Sequence, residues 1–212
     1  DNDLFAKVAN EVFDSNGTVI SPAVFTGFNT AIEFIKYGAF GSVSKKMFQE
    51  KLSMTLGVRL DFNSFPVTEI YFEESFSPRF TASYSVSPKV NINATVGRYI
   101  KMPSYTVLGY RNSLGNLENS RAQNIICDHL AGGFEILPTS SLRITVEGFY
   151  KKYDNCPVSR ASAISLANLG NDFGVIGNEA VSSQGKGRSY GTELFVQQKL
   201  KKDFYVTASF TF

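Results

Sequence analysis

Tryptophan is absent from these 212 residues, histidine occurs once and cysteine only twice. Cys127 and Cys156 match no metal-ligand spacing. The single histidine, His129, falls on the polar side of an alternating stretch and reads as a hydrogen-bonding group rather than a general base. No apolar run approaches eighteen residues, so no transmembrane helix can be drawn. A net charge of +2 with 19% charged residues is too balanced to argue for a nucleic-acid partner. Gly185-Lys186-Gly187 leads into a strand-like stretch rather than a helix, so no phosphate-cradling loop is present. No cofactor is implied and no enzyme is expected. Asp1-Asn2-Asp3 does not open a signal peptide, so the expectation is a mature chain or an internal piece. Asn16-Gly17-Thr18 and Asn93-Ala94-Thr95 match a glycosylation acceptor by pattern alone.

What the chain has in quantity is aromatic residues, 19 Phe and 10 Tyr, set into strict alternation. Phe80, Ala82, Tyr84 and Val86 share one face of a strand, with Arg79, Thr81, Ser83 and Ser85 on the other. Val90, Ile92, Ala94 and Val96 repeat the pattern against Asn91, Asn93, Thr95 and Gly97. A period of two belongs to strands, and Ser87-Pro88 between them supplies turn chemistry. Leu52, Met54, Leu56, Val58 and Leu60 alternate in the same way over Lys51–Asp61. Thr30–Lys45 reads as a strand whose halves are out of phase, which a β-bulge near Lys36 would reconcile. Cys127–Leu137, Leu142–Tyr150, Gly187–Lys199 and Phe204–Phe212 complete the set. Before them, Leu4, Phe5, Val8 and Val12 have helical spacing, so residues 1–28 read as a loop or a short helix ahead of a single domain over 29–212.

The sum is an all-β chain of about eight long antiparallel strands in four hairpins, with short turns at one end and long connections at the other. That pattern is the signature of an outer-membrane β-barrel, with short periplasmic turns and long extracellular loops. Sandwich strands are shorter, and Arg59, Arg79, Glu135, Arg143, Glu147, Glu193 and Lys199 would be costly in a sandwich core. In a barrel they face water or a plug while the aliphatic face meets lipid. The long connections offer Tyr99, Tyr105, Tyr110, Arg111, Tyr153 and Arg160 for recognition, and the same tyrosines also suit an interfacial girdle. A disulfide between Cys127 and Cys156, tethering a loop, and a pair of free thiols both remain open.

Ser77-Pro78-Arg79-Phe80-Thr81-Ala82-Ser83-Tyr84, Asn93-Ala94-Thr95-Val96-Gly97-Arg98-Tyr99 and Pro103-Ser104-Tyr105 resemble the barrel of TonB-dependent outer-membrane receptors. Glu147-Gly148-Phe149-Tyr150 and Gly187-Arg188-Ser189-Tyr190-Gly191-Thr192-Glu193 look like later strands of the same barrel. The resemblance covers residues 29–212. It implies energy-coupled uptake of a scarce nutrient through a plugged pore in the outer membrane of a Gram-negative bacterium. The implied partners are outer-membrane lipid, TonB, the plug domain, a small nutrient ligand and a surface lipoprotein. Neither a plug nor a TonB-contacting segment appears in these residues, and the family's barrel has about 22 strands. The expectation is therefore a middle-to-late section of a longer receptor. A self-contained eight-stranded barrel of structural or adhesive role, which Phe212 as a terminal aromatic would suit, is the alternative, and a soluble all-β binding module is the third. The motifs do not specify a substrate.

Overall fold

The computed structural model describes residues 2–9, 12–13, 16, 19–21, 24–65, 74–168, 177–201 and 203–212. Eight long strands form one antiparallel sheet in sequence order. They are β5 (Lys36–Met47), β6 (Leu52–Asn63), β7 (Phe76–Ser87), β8 (Val90–Lys101), β9 (Ile125–Ile136), β10 (Leu142–Ser159), β11 (Val181–Lys201) and β12 (Phe204–Thr211). Ahead of them β1 (Asn2–Ala9) pairs with β4 (Val24–Thr30), and β2 (Val12–Phe13) with β3 (Val19–Ser21). The helical structure among the described residues is a single turn, α1 (Tyr105–Leu108), and a 3-10 turn at Leu166–Asn168.

Alternation becomes rows once the strands are in register. Met47, Leu52, Tyr84, Ile92, Phe134, Val146, Leu194 and Phe210 stand opposite one another across all eight strands. Higher up, toward the long connections, Val43, Leu56, Phe80, Val96, Leu130, Tyr150 and Tyr190 form a second row. These side chains are uncovered: Leu130 is 57% and Val96 50% exposed. A soluble sheet buries its apolar face against a second layer, and no second layer covers this one among the described residues. The opposite face is polar, with cross-strand pairs such as Ser44 with Thr55 at 2.8 Å and Thr81 with Thr95 at 3.1 Å.

The architecture differs from the sequence reading in four places. Residues 2–9 are extended and paired rather than helical, because β4 supplies a ladder partner that helical spacing alone does not reveal. No bulge is needed at Lys36: β5 begins there and pairs with β6 without a register shift, so the out-of-phase residues lie ahead of the strand. The connection drawn over 151–186 is largely strand, with β10 reaching Ser159 and β11 starting at Val181. Finally, β5 and β12 are edges and do not pair with each other, so the sheet is not the closed eight-stranded barrel of the alternative reading. Most of the polar loop before Phe76 and part of the last long connection lie outside the described residues.

Close strand approach sets one sharp constraint. A Cβ built on Gly133 would sit 2.0 Å from the Val146 carbonyl oxygen, whereas one on Gly41 meets nothing within 4 Å. Gly133→Val must therefore push β9 from β10. It is expected to cost at least the ~1–3 kcal/mol of an overpacked site, while Gly41→Ala stays within about 0.5 kcal/mol of the parent. Denaturant unfolding of the two variants in detergent checks the contrast.

Candidate functional site

The six charged residues assigned to the pore side do share the polar face, and the register shows what each meets. Near the short turns, Arg143 Nε lies 2.5 Å from Glu135 Oε1, and Asn91 Nδ2 donates to Glu135 Oε2 at 2.9 Å. Near the other end, Arg59 grips Asp61 through two 2.6 Å hydrogen bonds. Between these, Glu147 stands directly opposite Glu193 on the neighbouring strand. Like charges facing across a ladder are destabilising, and no cation lies within ion-pair distance of either carboxylate among the described residues. His129 Nε2 and Thr145 Oγ1, on the same face, are buried without a hydrogen-bond partner.

Arg79 takes a different kind of partner. Its guanidinium lies 4.3 Å from the centroid of the Tyr99 ring, a cation–π contact. The Tyr99 ring is in turn 5.9 Å from that of His129, which follows from Arg79, Gly97 and His129 sharing one register row. Tyr99 belongs to β8 and Tyr153 to β10, so two residues expected in loops are on the upper wall of the polar face instead. The strands carry on past the last apolar row, and the alternation there is no longer hydrophobic enough to be read. Arg79, Tyr99 and His129 thus make a cationic and aromatic wall, suited to holding a flat or anionic molecule by stacking and charge.

Of the two readings left open for the cysteines, the structure has the free thiols: Cys127 and Cys156 are both unbridged. Cys127 faces Tyr153 in the ladder, and Cys156 lies three residues beyond it, past a bulge where Asn155 adopts φ +60°. Tyr153 is thus the cross-strand neighbour of Cys127.

Above the wall the long connections fold into a packed cap. Val107 and Leu108 of α1 are 2% and 1% exposed, and Val107 packs with Leu166 and Val181. Asn119, 2% exposed, is the keystone. Its Nδ2 donates to Val107 O and Glu179 O, both at 2.8 Å, and its Oδ1 accepts from Val181 N at 2.9 Å. Glu74 accepts from Gln123 Nε2 at 2.9 Å and from Asn124 N at 3.3 Å, fastening the start of β7 to the approach to β9. Ser159 donates to the Glu179 carboxylate.

Three of the recognition candidates are spent on this cap. Tyr105 accepts from Lys36 Nζ at 2.6 Å and packs edge-on against Phe34. Arg160 pairs with Glu118 at 3.3 Å, and Arg111 donates to Gly115 O at 2.8 Å. Tyr110 sits half-buried just beyond α1. Sequence reasoning missed Glu74, Asn119, Ser159 and Glu179. The one signal available was the apolar Val107-Leu108 pair inside an otherwise polar loop.

Comparison with known proteins gives a consistent result. A family model described as "TonB dependent receptor-like, beta-barrel" matches residues 3–212. No curated protein matches the sequence. Three solved structures with the same fold are receptors. The pyoverdine outer membrane receptor FpvA from Pseudomonas aeruginosa PAO1 is 16% identical with a TM-score of 0.59, the match covering 93% of this chain and 27% of that one. The siderophore receptor PirA from Pseudomonas aeruginosa is 15% identical at TM-score 0.56, covering 88% and 32%. The ferric-catecholate import receptor Fiu from Escherichia coli K12 is 14% identical at TM-score 0.58, covering 84% and 27%. The chain therefore spans about a quarter to a third of the length of these receptors.

Two outcomes follow for the cap. Asn119→Ala leaves Glu179 O and the Val181 amide without this partner, while Val107 O keeps its bond from the Tyr110 amide, at a cost on the order of 1–3 kcal/mol for each unpaired group. It should open the cap to protease near Val181 while leaving the heat-resistance of the sheet in detergent unchanged. Glu74 carries the pH response. Burial pushes its carboxyl above its ordinary value, against the opposing hydrogen bonds from the Asn124 amide and Gln123. The folded cap then binds more protons than the opened one between the ordinary and the raised value, so its hold weakens as pH rises through that window. Protection of the Asn124 amide against hydrogen exchange, corrected for intrinsic rate, should fall across the window in the parent and stay flat in Glu74→Gln.

Proposed function

The chain belongs to the TonB-dependent receptor β-barrel family, a family of receptors and transporters rather than enzymes, and on that premise we propose that it forms part of the wall of a plugged outer-membrane pore. The uncovered rows of Leu, Val, Phe and Tyr face lipid, and the polar face lines the lumen. The pore imports a scarce nutrient, with energy delivered through TonB to the plug.

The observation that carries this reading is the Glu147–Glu193 pair. Two carboxylates facing each other across the ladder repel, and a plug that fills the lumen would relieve the repulsion by bringing an arginine or lysine between them. The two unpaired edges support the same conclusion, since hydrocarbon offers no substitute for missing ladder bonds, so further strands must close the sheet. Tyr99, Arg79 and His129 then line the upper lumen on the route of an incoming ligand. The siderophores and ferric catecholate named for the similar receptors suggest an anionic metal chelate as that ligand, and Arg79 over Tyr99 suits one. A surface lipoprotein would dock on the cap.

The test is uptake by the full-length receptor in cells with and without TonB, using a panel of labelled ferric chelates. Uptake that persists at the same rate without TonB would sink the proposal. With the receptor in place, Glu147→Gln combined with Glu193→Gln should loosen the plug. Entry of large antibiotics normally excluded by the outer membrane is expected to rise several-fold. The assignment of faces has its own check. Ile92→Arg, placed in the lower apolar row, should cost about 2–4 kcal/mol of stability in a bilayer, while Asn93→Arg on the lumen side should cost little.

A further inference from the structure

The apolar face does not stay apolar to the top of the strands. One register row above Val96, Leu130, Tyr150 and Tyr190, the same face presents Arg98, Asp128, Lys152 and Arg188, each opposite the next. Arg98 holds Asp128 through bonds of 2.7 and 2.9 Å, and Lys152 reaches Asp154 at 2.9 Å. The group has three cations against two carboxylates, and Arg188 is exposed. Charges on the lipid side of a barrel are costly at mid-depth and tolerated only near the headgroups, so this row fixes where the hydrocarbon ends.

Directly beneath the charged row lies a groove of about 440 Å³, walled by Leu56, Phe80, Val96, Leu130 and Tyr150, with Arg98 and Lys152 at its lip. A second groove of about 670 Å³ adjoins it, sharing Leu130 and Tyr150. Its floor is a run of small residues, Ala94, Gly132 and Gly148, facing one another in the register between two bulky rows. A Cβ at Gly148 would find its nearest neighbours 4.0 Å away, so the floor is open and not merely close-packed backbone.

The geometry points to a binding site for one anionic membrane amphiphile, a phosphorylated lipid whose headgroup phosphate sits among Arg98, Lys152 and Arg188. Its acyl chain descends over Leu130 and Tyr150 into the trough above Gly132 and Gly148. Charge decides the headgroup, because the excess cation favours a headgroup of net negative charge, whereas a zwitterion brings its own cation beside Arg188. The trough decides that the ligand is a lipid rather than a free anion. This inference rests on the assignment of the apolar face to the bilayer.

The experiment is native mass spectrometry of the full-length receptor in neutral detergent, titrated with phosphatidic acid, phosphatidylglycerol and phosphatidylcholine of matched acyl chains. Retention of the two anionic lipids should exceed that of phosphatidylcholine by on the order of tenfold, the worth of one charge-assisted hydrogen bond. Lys152→Gln with Arg188→Gln should bring the ratio close to one. Gly148→Leu should reduce retention of all three lipids by filling the trough, with the headgroup preference of the residual binding intact. Equal retention of the three lipids by the parent, an unchanged ratio in the double variant, or displacement by excess inorganic phosphate would each overturn the site. A receptor that stays soluble and binds no lipid when detergent is removed would instead overturn the assignment of faces.

Discussion

The obligation of every backbone N–H and C=O to find a partner governs this structure more than any side-chain contact. From β5 to β12 the ladders are long and nearly continuous, broken by bulges in few places, and the main-chain polar groups of the inner strands pair within the sheet, leaving only the outer edges of β5 and β12 open. In water such a sheet would bury one face against a second layer, and hydrophobic burial would dominate its stability. Here the large apolar side chains are uncovered, and the packed core is a small cluster in the cap. The sheet's integrity therefore rests on pairing, and packing takes over only where the connections leave the bilayer.

The two faces divide the remaining physics between them. On the lipid side the choice at nearly every position below the Arg98–Arg188 row is size and shape, since an uncompensated charge there is expensive; the exception is Lys45, opposite Met54 and two residues from the end of β5. On the lumen side the choice is electrostatic, and its groups come in three conditions: paired at Glu135–Arg143, stacked at Arg79–Tyr99, and opposed at Glu147–Glu193. A self-sufficient wall would have resolved the opposed pair. The proposed plug is what would resolve it here.

Much of this was legible in the sequence, for a plain reason. A two-residue period is a local property, and Leu52 through Leu60 or Phe80 through Val86 declare their faces without help from distant residues. That Glu147 and Glu193 share the polar face followed from parity alone, although their confrontation needed the register. Legibility failed where structure depends on long-range partners. Residues 2–9 look helical until β4 is there to pair with them. The upper halves of β10 and β11 look like loop because Tyr153, Asn155 and Gly185 do not alternate. Asn119 is one polar residue among many in a polar stretch, and nothing nearby signals that it will be buried with three backbone partners. The spacing of the two cysteines left a bridge and free thiols both open, and only the ladder shows that Cys127 has Tyr153 as its cross-strand neighbour.

One feature of the strands has a bearing on how such a protein changes over time. β10 runs on from Lys152 to Ser159, roughly 20 Å of strand beyond the last charged row at about 3.3 Å per residue, and the cap is bolted to that extension. A large soluble molecule arriving from the medium therefore touches only rim and cap. It never samples the lipid-facing rows or the lumen wall. Pressures from outside the cell act on one set of residues, and those from membrane and cargo act on another. The rim and cap answer to the solvent, and the rows beneath them to the bilayer.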